Sequence, residues 1–390
     1  MAAYCTQDVG LIQSLMNKIP SGELQLILKG KWPAEIYVDD LVEPRAAVVW
    51  DLGRSFYCAG DHHQTSFLQS VGSMILNHCF EMMKGSHKLD FTLRYDDPAW
   101  EEAIQEQLCP DRRLAVLLRR YYTIDAQKHA GVEGACPEGF SIEQVTAELY
   151  HSLQEDQREL LTTMFNDHHI SCEQWLQGEG FGYCALNEGG DVVSACLTDF
   201  IDGTCCELGI ETAEAYRRKG LATAVAYASV SHGLECGIQL IGWNCWDENE
   251  GSYRTVERIG GVLRRRYPVM TGWFNAFDHH LVQAYRDWND EQYSHAARQY
   301  DEALIRYCSQ NDDDDKDDEL EYSYLLKTIP IGWLFFNAAR AHARIGETQK
   351  GCAYLNEAIR IGWITWEKAL EDEAFQGWQQ NPRILAQRQA

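Results

Sequence analysis

Residues 214–227 read EAYRRKGLATAVAY, three consecutive cations and a glycine set directly before a helix-forming run. Upstream, CELGIET at 206–212 alternates as a strand does. A strand ending at Thr212, a short basic loop and a helix starting at Leu221 leave the first-turn N–H groups and the positive end of the helix dipole aimed at one point. That arrangement is an anion site. Gly220 lets backbone approach a ligand closely, and Arg217, Arg218 and Lys219 supply charge. A pyrophosphate is the guest that suits it, although RRKG taken by itself reads more simply as a basic turn capping a helix.

Outward from this loop the pattern is regular. FGYCALNEGG (181–190), DVVSACLTDF (191–200) and TCCELGIET (204–212) read as strands; the helix from Leu221 follows, then strand IQLIGWNC, helix NEGSYRTVERIG and strand GVLRRRYPVM (261–270). Before them, residues 140–165 add one strand and two helices. The same order occurs earlier: strands at 34–40, 46–53 and 55–60, a helix over 65–83, strand KLDFTLRYDD, a helix from Pro98 and strand LAVLLRRYYTID. LLRRYY at 117–122 even echoes LRRRYP at 263–268. Two copies of one α/β unit are expected. After residue 280 strand signals stop, and GWLFFNAARAHARIG and TQKGCAYLNEAIRIGW predict two antiparallel helices turning at Gly346. Ala339, Ala343, Ala353 and Ala358 are expected as small contacts between them.

Now the loop and its neighbours can be taken together. Arg217, Gly220 and Ala222 fit R/Q-x-x-G-x-G/A, and the segment 206–226 resembles the strand, pyrophosphate loop and helix of the GNAT N-acetyltransferases. WNCWDENEGSYRTVERIGG resembles that family's next strand and helix, with Asn249 and Ser252 at its N-x-x-A/S positions and Gly260 at its usual glycine. The likeness covers about residues 140–272, and its two motifs at proper separation make it specific. It implies a GNAT-like mixed sheet flanked by helices; with the repeated order of elements, tandem GNAT-like sheets are expected, the first copy degenerate, and the all-α C-terminal part separately resembles a tetratricopeptide-type hairpin. The expected domains are 1–136, 137–277 and 278–390.

The resemblance also implies acetyl-coenzyme A as co-substrate. Its pantetheine arm would pair with backbone at Ile210, Glu211 and Thr212, and its phosphates would be held by Arg217, Arg218, Lys219, Gly220, Leu221, Ala222 and Thr223, with Asn249 and Ser252 adjacent. Only a neutral amine attacks a thioester, so a base must take a proton from the acceptor ammonium. Glu207 is the first candidate and Glu211 the second, since strand alternation sets both on one face unless a bulge intervenes; a structural salt bridge is the plainer reading of either. Many members protonate the leaving thiolate with a tyrosine seven residues after the helix asparagine. Here that position is Val256, so Ser252 or Tyr253 would have to substitute.

Composition narrows partners. With a formal net charge of −25 over 390 residues, no overall positive field would draw nucleic acid, whereas a small cationic acceptor would be attracted. Fourteen cysteines without a CxxC pair read as free thiols. No stretch reaches the roughly 18 apolar residues of a membrane span, and the start lacks a secretory pattern, so a cytoplasmic location is expected. Asp-His-His triplets at 61–63, 167–169 and 278–280 stand in unrelated contexts and predict no metal site; NDDDDKDDELE at 311–321 reads as a solvated acidic loop. The two-part layout is similar to acetyltransferases of the zwittermicin A resistance type, implying acetylation of an amino-containing antibiotic. A protein or peptide acceptor recognised through residues 281–390, self-association through them, or a non-catalytic coenzyme A-binding scaffold are the other readings.

Overall fold

The computed structural model describes residues 3–84, 89–110, 112–129, 134–166, 172–178, 180–309 and 320–378. Its strands are β1 (Tyr4–Thr6), β2 (Glu35–Val38), β3 (Ala46–Trp50), β4 (Ser55–Gly60), β5 (Asp90–Tyr95), β6 (Ala115–Ile124), β7 (Phe140–Gln144), β8 (Gly182–Asn187), β9 (Val192–Asp202), β10 (Cys205–Thr212), β11 (Leu240–Trp246) and β12 (Val262–Trp273). All join one mixed sheet in the order β1-β2-β3-β4-β5-β12-β6-β11-β10-β9-β8-β7. The two strand–helix series of the sequence are therefore interlocked. β6 closes the first series yet pairs with β11 of the second, and β12 closes the second yet pairs with β5 of the first.

Helices cover both faces. One face of the second half is sealed by helix Leu221–Glu235 and helix Glu250–Arg258, through a core that holds Tyr122, Leu208, Val225, Trp243 and Val256. The other carries the helices of residues 147–177, packed on Ala195 and Leu197. In the first half a short helix, Gly22–Leu28, lies on this second face; Ser21 caps it by accepting from the Leu24 N–H at 3.3 Å. Gly22 lets the helix approach β9 closely: a Cβ would stand 2.2 Å from the tip of the Phe200 ring, so a larger residue would have to displace that ring.

The C-terminal region is helical, as expected. Helices Ile331–Arg344 and Thr348–Arg360 form a hairpin at Gly346 (φ +78°). Ala339 and Ala358 are buried in it, but Ala353 is exposed: it falls on the outer face of its helix and makes no contact of the kind expected. Asp278 ties helix Ala276–Asn289 to the next segment, accepting from Ser323 Oγ (2.5 Å) and the N–H of Tyr324 (2.9 Å). The triplet at 167–169 and residues 311–319 of the acidic stretch lie outside the described residues.

Candidate active site

The basic loop has the conformation its residues require. Gly220, at φ +86°, precedes helix Leu221–Glu235, and no side chain caps that helix. A Cβ at Gly220 would meet only Pro137 Cγ, 3.8 Å away, so the approach to the first-turn N–H groups is open. Arg218 also takes a left-handed conformation (φ +63°), is exposed, and has no ion-pair partner among the described residues. Lys219 lies over the Tyr216 ring at 4.7 Å. Arg217 instead turns back, donating to the Thr212 carbonyl (3.1 Å) and pairing with Glu211 (3.4 Å). Leu221 is buried, while Ala222 and Thr223 border the open turn.

β10 and β11 run parallel but pair only over Cys205↔Leu240, Cys206↔Ile241 and Glu207↔Gly242. Beyond Glu207 they part: Leu208–Thr212 keep β9 as neighbour, and Trp243–Trp246 keep β6. One edge of Ile210, Glu211 and Thr212 is thus left without a strand partner, a backbone template for an extended amide-bearing chain. The irregularity between Glu207 and Leu208 arises from an extra residue on β9, Asp199, so alternation along β10 is unbroken. Glu207 and Glu211 do share a face, yet their surroundings differ. Glu207 is 8% exposed; the Glu211 side chain is half-exposed and occupied by Arg217.

Glu207 ends a polar row that crosses the sheet. Residues paired across strands project from the same face. The registers Tyr57↔Arg94, Arg265↔Tyr121, Tyr121↔Asn244 and Glu207↔Gly242, with Tyr267↔Arg119 alongside, assemble one row from β4, β5, β12, β6, β11 and β10. Asn244 donates to Glu207 Oε1 at 2.7 Å and accepts from the Tyr267 hydroxyl at 2.8 Å. Gly242 leaves a gap between two reactive groups: a Cβ there would stand 3.2 Å from the Tyr121 hydroxyl and 3.3 Å from Glu207 Oε2. Over the row lies the start of helix Gly22–Leu28, whose Glu23 accepts from Arg94 (3.0 Å) and the Tyr57 hydroxyl (2.9 Å). Burial raises the Glu207 carboxyl above the usual glutamate range, and the Glu23 charge adds to this against the Asn244 hydrogen bond, Arg94 and Arg119. Tyr121 is likewise pushed up, by burial and then by Glu207, and stays protonated.

Asn249, Ser252 and Tyr253 lie across the sheet from this row. Asn249 caps helix Glu250–Arg258, accepting from the Ser252 N–H at 3.1 Å. The Ser252 hydroxyl accepts from Trp243 Nε1 (3.0 Å), and the Tyr253 ring lies under Arg120 at 3.9 Å. Val256 is fully buried core. The arginines at 264–266 differ: Arg264, the extra residue of an irregularity in β12, donates to Thr123, which pairs with Gly242 on the Glu207 face; Arg265 pairs with Tyr121 in the polar row; and Arg266 pairs with Asp247.

The corresponding crevice of the first half is shut. β4 and β5 stay paired through Cys58↔Tyr95, and the Asp96 N–H continues to the Cys58 carbonyl at 3.2 Å. Asp61 stands where the second half has its basic loop, accepting from the His63 N–H (3.0 Å) and the Gln64 amide (2.6 Å).

The GNAT acetyltransferase family model matches residues 15–270, well over half of the chain. The chain belongs to the GNAT acetyltransferase family. An uncharacterized N-acetyltransferase of Bacillus subtilis (strain 168), YdfB, is 26% identical over 249 residues, 62% of this chain and 87% of that protein. Among solved structures, a GCN5-related N-acetyltransferase-like protein from Streptococcus suis 89/1591 superimposes with a TM-score of 0.50 at 23% identity, over 68% of this chain and 98% of that one. A GCN5-related N-acetyltransferase from Sphaerobacter thermophilus gives 0.46 at 14% identity, over 70% and 96%. As a GNAT enzyme the protein transfers acetyl groups, and acetyl-coenzyme A is its co-substrate. The open helix N-terminus and the unpaired edge of β10 fit the phosphates and the amide-bearing arm of that molecule. The loop, Glu207 and Glu211, named from the sequence, all lie along the crevice between β10 and β11. Glu23, Arg94, Tyr121, Asn244 and Tyr267, which the structure brings to the same face, were not named from the sequence, where the strand or cap pattern around each was the signal at hand.

Proposed function

We propose that the protein acetylates an amine of a small molecule by direct attack on acetyl-coenzyme A, with Glu207 as general base. The observation that carries this reading is the parting of β10 and β11 immediately after the Glu207↔Gly242 pair, which sets a buried carboxylate beside an opening made of free backbone. Acetyl-coenzyme A supplies the activated thioester. Residues 217–223 would hold its phosphates, with Asn249 and Ser252 at the neighbouring helix start, and Ile210–Thr212 its amides. Glu207, with its carboxyl raised, accepts the ammonium proton and frees the lone pair for attack. Tyr121, Ser252 and Tyr253 are the hydroxyl groups bordering the opening from its two sides. Tyr121 alone shares the face of Glu207, and it makes no side-chain hydrogen bond to a described residue, so we assign to it the proton that the thiolate needs.

Phe200, the β9 neighbour of Glu207, also lines a cavity of about 270 Å³ with Leu26, Trp32 and Trp175, and with Lys31 and Asp199 among its polar residues, which offers room for the body of an acceptor. Likeness to the zwittermicin A resistance type makes amino-containing antibiotics the first class to try, with resistance or self-protection as the role. The test is acetyl-coenzyme A-dependent thiol release against amines, aminopolyol and aminoglycoside antibiotics and basic peptides. Gly220→Asp, which forces a side chain into a left-handed turn and a carboxylate onto the helix N-terminus, is expected to abolish coenzyme A binding by calorimetry. Glu207→Gln is expected to retain binding and lose roughly 10²-fold or more of turnover. Full turnover by Glu207→Gln would remove the base from this mechanism.

A further inference from the structure

The polar row holds more positive charge than its own acids neutralise. Three arginines face Glu207 from the strands around it: Arg94 on β5, Arg119 on β6 and Arg265 on β12. Arg94 is buried at 7% exposure, and its NH1 is committed to Glu23 and Ser21. The other two differ. Arg119 stacks on the Trp246 ring at 4.6 Å and forms no hydrogen bond or ion pair through its side chain with any described residue. Arg265 lies over Tyr121 (5.1 Å) and Tyr267 (4.8 Å) and donates to the Pro20 carbonyl, with no carboxylate partner among the described residues. The Nε of each of the three is buried and unpartnered among the described residues. Arg119 and Arg265 are half-buried, each with its Nε withdrawn from water while the rest of the guanidinium reaches the open side of the sheet, a placement that an anion would complete.

Coenzyme A phosphates do not answer for these donors. The open helix N-terminus belongs to Leu221–Glu235, which packs on the opposite face through Leu208 and Trp243, whereas Arg119 and Arg265 share the face of Glu207. Of the neighbouring arginines, Arg120 and Arg266 are both paired with Asp247 on their own side, and the Arg264 Nε is committed to the Thr123 hydroxyl.

We propose that Arg119 and Arg265 form an anion subsite for the acceptor, so that the amine acetylated here belongs to a molecule that also carries a carboxylate or phosphoryl group. The proposal rests on the acetyltransfer reading with Glu207 at the amine, and it replaces the wholly cationic acceptor expected from net charge by a zwitterionic one. The row sets the scale. Glu207 is level with Gly242 and Thr123, and Arg119 with Trp246, so the two are two strands apart and four residues apart along them, about 16 Å at the backbone. Two long side chains bridge only part of that distance, so amine and acid are held several bonds apart. Aromatic faces on Trp246, Tyr121 and Tyr267 hold the guanidinium planes in place for bidentate contact.

The experiment uses matched pairs on the full chain with coenzyme A present: amino acids against their carboxamides, and amino sugar phosphates against the unphosphorylated amino sugars. Calorimetry reads binding, and thiol release reads turnover with acetyl-coenzyme A. At least one acid-bearing series is expected to bind and turn over with kcat/KM tenfold or more above its neutral partner, and which series does so separates carboxylate from phosphoryl. Arg119→Gln and Arg265→Gln are each expected to raise KM for that acceptor tenfold or more while leaving coenzyme A affinity unchanged. Equal or better use of the neutral partners, or no binding by any acid-bearing compound, overturns the proposal; the wild-type comparison decides this even where a variant folds poorly. Glu207→Gln separates the two layers. It should keep the acid-over-amide binding difference while losing turnover, so unimpaired turnover would remove the base and leave the subsite standing.

Discussion

At the scale of single residues, Glu207 and Glu23 form the pair whose charges matter most. Glu207 has its carboxyl raised chiefly by burial and then by Glu23; Arg94, Arg119 and Asn244 oppose them, with Tyr121, Tyr267 and Arg265 completing the ring of polar groups on the adjoining strands. On the proposed mechanism Glu207 works as base only when ionised, so the acidic limb of kcat/KM is expected above the ordinary glutamate range. Glu23→Gln removes a like charge and releases Arg94 from its partner, and both changes favour ionised Glu207. The limb should therefore move to lower pH, while Glu207→Gln should flatten it. Stability follows with the opposite sense. The folded state holds its proton more tightly than the unfolded chain, so this group's contribution is fully present below the ordinary carboxylate pKa and is lost as pH rises through the raised value. Thermal melts should show Glu207→Gln gaining on wild type across that window. A limb unmoved by Glu23→Gln would mean that the first half does not tune the base.

Among elements, β11 carries the second prediction. Gly242 is buried between Glu207 and Tyr121, and glycine in a strand commonly marks such a close approach. Gly242→Ala places a methyl 3.2 and 3.3 Å from the two polar atoms, tighter than an ordinary contact. One of them must shift by a few tenths of an ångström. Acceptor kcat/KM is expected to fall by roughly tenfold or more with coenzyme A affinity retained, since the strand itself gains β propensity from losing a glycine. Element-scale features were also the part most legible in the sequence. The strand, basic loop and helix around Gly220 are local, and local chemistry declares itself: a left-handed glycine, an uncapped helix, a cluster of cations. Glu207 was legible for the same reason. Its surroundings were not, because Asn244, Tyr121, Tyr267, Arg94 and Glu23 become neighbours only through strand register and through a seven-residue helix, Gly22–Leu28, whose Ser21 cap says nothing about what it will cover.

For the whole molecule, the decisive feature is the exchange of β6 and β12. Their sequences, LLRRYY and LRRRYP, are so alike that either could suit either place, and no pattern along the chain discloses which half each one joins. The exchange puts Arg119 and Tyr121 of the first series next to Asn244 of the second, and so builds the polar row out of both. It also makes each half depend on the other. Tyr122 and Ile124 of β6 are fully buried in the core beneath helix Leu221–Glu235. Loss of a large buried side chain of this kind costs about 3–5 kcal/mol, against a total stability of about 5–15 kcal/mol for a typical domain. A fragment of residues 137–390 lacks both side chains and leaves β11 with a bare edge. Expressed alone, it is expected to show no cooperative melt and no coenzyme A binding, and residues 1–136 alone should fare no better without β12 beside β5. Co-expressed, the two fragments should co-purify and recover binding. Cooperative melting and full coenzyme A affinity in 137–390 alone would show instead that β12 can close onto β11 in place of β6, as their shared sequence would permit, and that the exchange serves the acceptor face more than the stability of the fold.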